Sequence, residues 1–330
     1  MRQPRYADLR KVLLRHNIRQ VLDLGENIFV DAVVPVVITL LKPTQSGEKA
    51  SFIDLTKEIN LSNVAEKFAT LNFTTISQNE WERTPQNIFI TDIRKIRKNE
   101  EILGNIITMK DAGINYQRVN VGLSQKTKSD LAQRLLYAGD REKASDMEYW
   151  KGEDIGSYYC ANHTSRFCRT DVEVKSNEHV TLNKKYFEIA PKLIWRQTAP
   201  YCICTVDYRG VWFGRIIQAG TINDSYKNKI SYEYLCALLN SKYLRHLYSQ
   251  IVKEGGRVFP QVKLEKLKPL PILIADTEVQ TKIKTLVNTI LSKKKQNPQA
   301  DTSAEENAID KLIYQLYGLS EDEIKQIEKE

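Results

Sequence analysis

Asp154, Asp171, Glu173 and Lys175 are residue types that could hold magnesium and activate water for phosphodiester hydrolysis. Their spacing fixes little, because Glu-x-Lys recurs by chance in a chain this charged; Glu323-Ile324-Lys325 is another instance. Cys160, His163 and Cys168 form a second group of ligand types. Structural zinc sites usually use a close Cys-x-x-Cys knuckle, and none is present, so no metal is expected in this chain. Five cysteines at irregular spacing argue against a disulfide framework. Cys202 and Cys204 lie two apart in an apolar run, where a strand puts both on one face, and they read as buried core thiols. The four histidines, His16, His163, His179 and His246, show no acid–base pairing.

Two further motifs resemble pieces of methyltransferase chemistry and fall short of it. Val21-Leu22-Asp23-Leu24-Gly25 is similar to the start of an S-adenosylmethionine-binding loop. Such a loop needs a second close glycine so that the backbone can approach the cofactor, and Glu26-Asn27-Ile28-Phe29 follows instead. Thr198-Ala199-Pro200-Tyr201 resembles the catalytic Asn/Asp-Pro-Pro-Tyr of adenine methyltransferases. That chemistry needs a planar amide or carboxylate on the exocyclic amine of a flipped base. Threonine has neither, so a turn is the reading here. Catalytic and cofactor-binding residues are therefore expected to be absent from this chain.

The elements that must position any site follow from composition and periodicity. The chain has 330 residues, of which 42% are hydrophobic and 27% charged, enough for one large or two ordinary domains with a sizeable core. No apolar stretch reaches the length of a membrane span, and no apolar signal core follows the first residues, so a cytoplasmic protein is expected. The net charge of +8 favours a polyanionic partner.

Residues 6–16 show the apolar spacing of a helix, residues 18–24 a short strand, and Gly25-Glu26-Asn27 a turn. Residues 28–41 are dense in valine and isoleucine, the composition of a strand buried on both faces, as in an α/β sheet. A further strand and a helix near residues 64–71 are expected before Trp81. From about residue 84 to 274 short β-type runs dominate, including 192–195, 201–206 and 211–217. Leu235, Leu238, Leu239, Tyr243 and Leu247 interrupt them at helical spacing over residues 232–250. Lys268-Pro269-Leu270-Pro271 enforces an extended exit. The tail reads as a helix over residues 278–295, then a second one opened by a Ser303–Glu306 capping box and closed by Gly318.

From Pro191 onward the sequence resembles a known family. Pro191-Lys192-Leu193-Ile194-Trp195-Arg196-Gln197-Thr198 is similar to a strand of the TaqI-like C-terminal specificity domain. So is the later helix carrying Leu238-Leu239-Asn240-Ser241, and so is the approach from Phe259-Pro260-Gln261 to Pro269-Leu270-Pro271. Leu316-Tyr317-Gly318-Leu319 resembles the tail of type IIG restriction–modification enzymes, and residues 18–41 resemble the last strands of a methyltransferase domain. The resemblance implies an α+β chain. Residues 1–85 would be the C-terminal remnant of a methyltransferase-like α/β domain, residues 86–275 a β-rich DNA target-recognition domain, and residues 276–330 a helical tail. It implies binding of double-stranded DNA as the specificity half of an adenine-specific DNA methyltransferase or restriction–modification protein of phage defence. S-adenosylmethionine and catalysis would belong to a missing N-terminal half or a partner catalytic subunit. The competing readings are a magnesium-dependent nuclease, a degenerate methyltransferase, and a helical scaffold subunit of a defence complex.

A sequence-reading module must neutralise phosphates and present side chains to base edges. Lys253, Arg257, Lys263, Lys266 and Lys268 surround Gly255-Gly256, where glycines let the backbone approach a phosphate; Gln261 lies in the same stretch. Arg196-Gln197 sits where a predicted strand meets a loop, and arginine suits guanine as glutamine suits adenine. Asn115, Gln117 and Arg118, with Lys126 and Lys128, form a third polar, basic segment, read as a groove-facing loop.

Overall fold

The computed structural model describes residues 6–25, 28–29, 34, 36–45, 47–55, 71–83, 87, 89, 100–118, 125–252 and 261–329. The architecture is mixed α and β, with several small sheets. The chain divides into two compact units: residues 1–98 with 251–256, and residues 99–250 with 257–330.

In the first unit four strands stand in the order Val36–Gln45, His16–Gly25, Lys49–Asp54, Thr74–Ser77. His16–Gly25 runs antiparallel to Val36–Gln45 and parallel to Lys49–Asp54. It is the strand covered on both faces. Ile18 and Val21 join Phe52, Trp81 and Phe89 in one cluster, while Leu22 and Leu24 join Leu55 in another. The buried amide of Gln78 holds the strand's start, accepting from Ile18 N at 3.1 Å and donating to His16 O at 2.6 Å. The valine-rich run expected to be buried on both faces is not, among its described residues. Its described strand begins only at Val36, stands at the sheet edge, and leaves Ile38, Leu40 and Leu41 exposed. Pro43 lies within it, and proline, lacking an N–H, is confined to such edges. The expected helix near residues 64–71 falls outside the described residues except at Leu71, which lies in neither helix nor strand.

The core of the second unit is an antiparallel sheet ordered Cys204–Asp207, Lys192–Arg196, Ile217–Ile222, Ile107–Lys110. Leu193, Ile194 and Trp195 are fully buried, which stabilises by about 2 kcal/mol per side chain. Trp195 Nε1 donates to Gln218 Oε1 at 2.9 Å, and Gln218 Nε2 to Asp111 Oδ1 at 2.6 Å, so the buried polar atoms are partnered in series. Gly220 opposes Leu193 in the register; a Cβ there would meet the Trp195 ring at 3.3 Å and Ile107 at 3.1 Å. A second sheet is ordered Trp212–Phe213, Met147–Trp150, Arg166–Cys168, Leu136–Ala138.

The expected helix over residues 232–250 is two helices, Tyr232–Asn240 and Lys242–Val252. Ser241 breaks it: its backbone is extended, and its hydroxyl donates to Leu238 O at 2.7 Å while accepting from Leu244 N at 3.2 Å. The tail helix Thr277–Gln296 packs on Tyr232–Asn240 and on Ser303–Leu316. Tyr317 Oη accepts from Leu273 N at 2.9 Å and donates to Pro271 O at 3.1 Å, so the tail belongs to the same unit as the sheet. The expected Ser303 cap moves one residue earlier. Asp301 takes the Ser303 N–H and hydroxyl, and Thr302 donates to Glu306. The capping box is formed instead by Ser320 and Glu323.

Candidate nucleic-acid interface

The strand Lys192–Arg196 ends where the chain must leave the sheet, and its last residues meet the segment that follows the second helix. Thr198 and Gln261 form an antiparallel bridge, and Val262 N donates to Gln197 O at 2.7 Å. The strap is anchored from beneath. Val262 is fully buried, and Tyr248 Oη donates to Gln261 O at 3.4 Å and accepts from Lys263 N at 3.3 Å. Two groups of residues singled out separately, Arg196-Gln197 and Gln261 with Lys263, are thus brought to one corner. Gln261 is exposed; Gln197 and Lys263 are half-buried.

Arg196 is partly committed inside the fold. It is half-buried, and its Nε donates to the carbonyl of Ile155. Gln197 N donates to Ile216 O at 2.8 Å, which draws the neighbouring exposed Arg215 to the same corner. Arg245, from the helix Lys242–Val252, places its Cζ 3.6 Å from the Tyr201 ring centroid. Tyr201, Arg215 and Arg245 were missed in sequence. Tyr201 and Arg245 belong to elements far apart in the chain, and no periodicity links them. The turn expected at Thr198-Ala199-Pro200-Tyr201 is what carries Tyr201 there. Two glutamines whose backbones meet here, with Arg215 and Lys263 close by in the chain, are residue types that pair with base edges and phosphates.

The remaining candidates sit elsewhere. Asn115 belongs to the strand Asn115–Arg118, which pairs with Glu178–Thr181, and its half-buried side chain leaves Oδ1 buried without a partner. Gln117 and Arg118 follow in the same strand, and Lys126 and Lys128 lie on the helix Gln125–Leu135. The expected loop is therefore a strand and a helix where described; the side chains of these four residues lie outside the described set. Lys253, Gly255, Gly256 and Arg257 also lie outside the described residues. Lys266 is buried in the helix Leu264–Leu267 and does not face solvent as the basic-stretch reading requires, because Leu264–Leu267 turns that side of the chain into the core.

Two of the three carboxylates considered for magnesium are engaged by cations. Asp154 accepts from Arg166, and Asp171 accepts from Lys143 Nζ at 2.7 Å. Among the described residues, no group of three or more His, Cys, Asp or Glu is placed to hold a metal ion. Burial pushes the Cys160 and Cys168 thiols up to about 12, which favours neutral thiols. Cys202 and Cys204 are buried, and no helix among the described residues is long and apolar enough to cross a membrane.

Residues 147–272 match the family model of the TaqI-like C-terminal specificity domain. No curated protein matches the chain. Among solved structures, the type IIL restriction–modification enzyme MmeI in complex with DNA is 12% identical with a TM-score of 0.42, over 93% of this chain and 44% of that one. The HsdS subunit from Thermoanaerobacter tengcongensis is 13% identical with a TM-score of 0.34, over 69% of this chain and 47% of that one. The type IIG restriction endonuclease BpuSI is 10% identical with a TM-score of 0.34, over 96% of this chain and 46% of that one. The chain thus spans less than half the length of these structures.

Proposed function

We propose, since residues 147–272 form a TaqI-like C-terminal specificity domain, that this chain recognises a target sequence in double-stranded DNA for a restriction–modification system. The carrying observation is the corner inside that segment, where the Thr198–Gln261 bridge and the Val262 N to Gln197 O bond bring the backbones of Gln197 and Gln261 together, with the exposed Arg215 and the half-buried Lys263 close by in the chain. Glutamine pairs bidentately with adenine N6 and N7, and the cations suit flanking phosphates. Within this reading the chain serves an adenine-specific DNA methyltransferase, and S-adenosylmethionine and the catalytic residues are supplied by a further segment or a partner subunit. Residues 1–85 are then the end of a methyltransferase-like α/β domain, a reading supported by the parallel pairing of His16–Gly25 with Lys49–Asp54. Residues 86–275 make the recognition domain, and residues 276–330 its helical support.

Selection of the full chain on a random duplex pool tests this. The expected result is enrichment of one short motif, with Gln197→Ala or Gln261→Ala relaxing the preference at one position. A pool that stays random after repeated rounds overturns the proposal.

A further inference from the structure

Away from the recognition corner, the second unit carries a cleft of about 580 Å3. Trp150 and Trp212 line it, each from one of the two neighbouring parallel strands Met147–Trp150 and Trp212–Phe213. Its rim carries the exposed Arg141, Arg209, His163 and Lys295. Arg209 is held rigidly: its Cζ lies 5.2 Å from the Trp150 ring, and its guanidinium donates to Asn162 O at 2.6 Å and Ala161 O at 2.7 Å. Asn162 Nδ2 in turn donates to Lys295 O at 3.1 Å, which ties the tail helix to the rim. Arg141 Cζ lies 5.5 Å from the Phe167 ring. Neither Arg141 nor Lys295 has a carboxylate partner among the described residues. The lining carboxylate Glu148 lies 4.0 Å from His163 Nδ1. Arg141, Arg209 and Lys295 outnumber that one carboxylate, and an anion entering the cleft relieves their repulsion.

The chain itself joins cleft to corner. Trp212 in the cleft precedes by five residues Ile217, which pairs with Arg196. Five residues reach at most about 17 Å, and a duplex carries one phosphate charge per ~1.7 Å of axis. Trp212 and Ile217 are therefore no more than about 17 Å apart, a span over which a duplex carries several phosphates.

We propose that Arg141, Arg209 and Lys295 clamp the phosphodiester backbone of DNA flanking the recognised bases. The proposal rests on the DNA-recognition reading above. It adds a contact that supplies affinity without sequence preference, and a reason for the tail helix to be built into this unit.

The test uses the full chain with a random-sequence duplex across a salt series. Arg141→Gln and Lys295→Gln should each lower the log–log salt slope by about one, so that affinity falls about fourfold less between 50 and 200 mM salt. Lys311→Gln and Lys325→Gln, removing the same charge from exposed tail positions, should leave the slope unchanged. Bound duplex should also protect Lys295, and not Lys311, from chemical acetylation. Thermal melting checks that each variant is folded. If the parent chain binds duplex but neither cleft variant alters the slope and Lys295 stays unprotected, the clamp is wrong and the recognition reading stands. If the parent chain binds no duplex, both fall.

Discussion

The side-chain amide of Asn240 pairs with both backbone groups of Cys204: Cys204 N donates to Oδ1 at 3.0 Å, and Nδ2 donates to Cys204 O at 2.8 Å. Cys204 opens the outer strand of the central sheet, so one side chain acts there as a further strand would. Asn240→Ala leaves the buried Cys204 N–H unpaired, while Cys204 O keeps the Tyr158 N–H at 2.9 Å, so the cost is on the order of 1–3 kcal/mol. Asn240→Asp keeps the acceptor and loses the donor, and should destabilise as well. Urea unfolding checks both. A midpoint unchanged in Asn240→Ala would show that the pairing contributes nothing.

Lys192 and Asp207 form a wholly buried ion pair at 2.6 Å. The ammonium also donates to Phe187 O and Ile189 O, while the carboxylate takes the N–H groups of Arg209, Gly210 and Val211. Burial holds the Lys192 pKa below its ordinary value. Removing one partner of such a pair strands the other, so Lys192→Met should cost about 3 kcal/mol. Asp207→Ala should cost more, since it also strands three backbone donors in the turn that carries Arg209. Equal unfolding midpoints for Asp207→Ala and the parent chain would contradict this.

Much of this framework was legible beforehand, and the reasons differ by element. Leu193, Ile194 and Trp195 announce a buried strand because a run of large apolar side chains needs cover on both faces. The same logic misplaced the valine-rich run before Leu41, because apolar density alone does not distinguish a central strand from an edge; Pro43 was the available signal. The break at Ser241 was hidden, since Leu238, Tyr243 and Leu247 continue the helical spacing across it. Gln197 and Gln261 were each visible as polar residues at an element's end. Their adjacency depends on the Thr198 bridge, and a long-range pairing of single residues leaves no pattern in one sequence. The stacking of Arg245 on Tyr201 is hidden for the same reason.

Asp310 gives the second unit a pH dependence of definite sign. Burial pushes its carboxyl up to about 6, against the pull of Lys242 and Arg245 and with the push of Glu328. The folded form therefore binds the proton more tightly than the unfolded chain, where the value is near 4. The resulting stabilisation is fully present below pH ~4 and is lost as pH rises through about 6. Asp310→Asn keeps an acceptor for Lys242 N, which Asp310 Oδ1 now meets at 3.0 Å. It should raise stability at pH 7.5 by about 1–3 kcal/mol, a gain that vanishes below pH 4. Melting temperatures of both proteins across that range decide it. A gain of equal size at every pH would mean that the carboxyl does not titrate as argued.

The recognition corner separates two roles that look alike in sequence. Arg196 donates Nε to Ile155 O, so Arg196→Ala removes a partner from a half-buried carbonyl as well as a cation. It should lower stability by about 1 kcal/mol and weaken binding to cognate and random duplex together. Gln197 is held by its backbone, through Ile216 O and Val262 N, which frees its amide for an external partner. Gln197→Ala should leave the melting temperature within a degree or so of the parent. Its loss should cost about 1–3 kcal/mol on the cognate sequence and much less on random DNA, with the salt slope unchanged. Melting curves together with titrations of both DNAs across a salt series resolve the two signatures. If Gln197→Ala and Gln261→Ala leave the cognate-to-random ratio intact, the bases are read from another face, and the corner's cations contribute affinity alone.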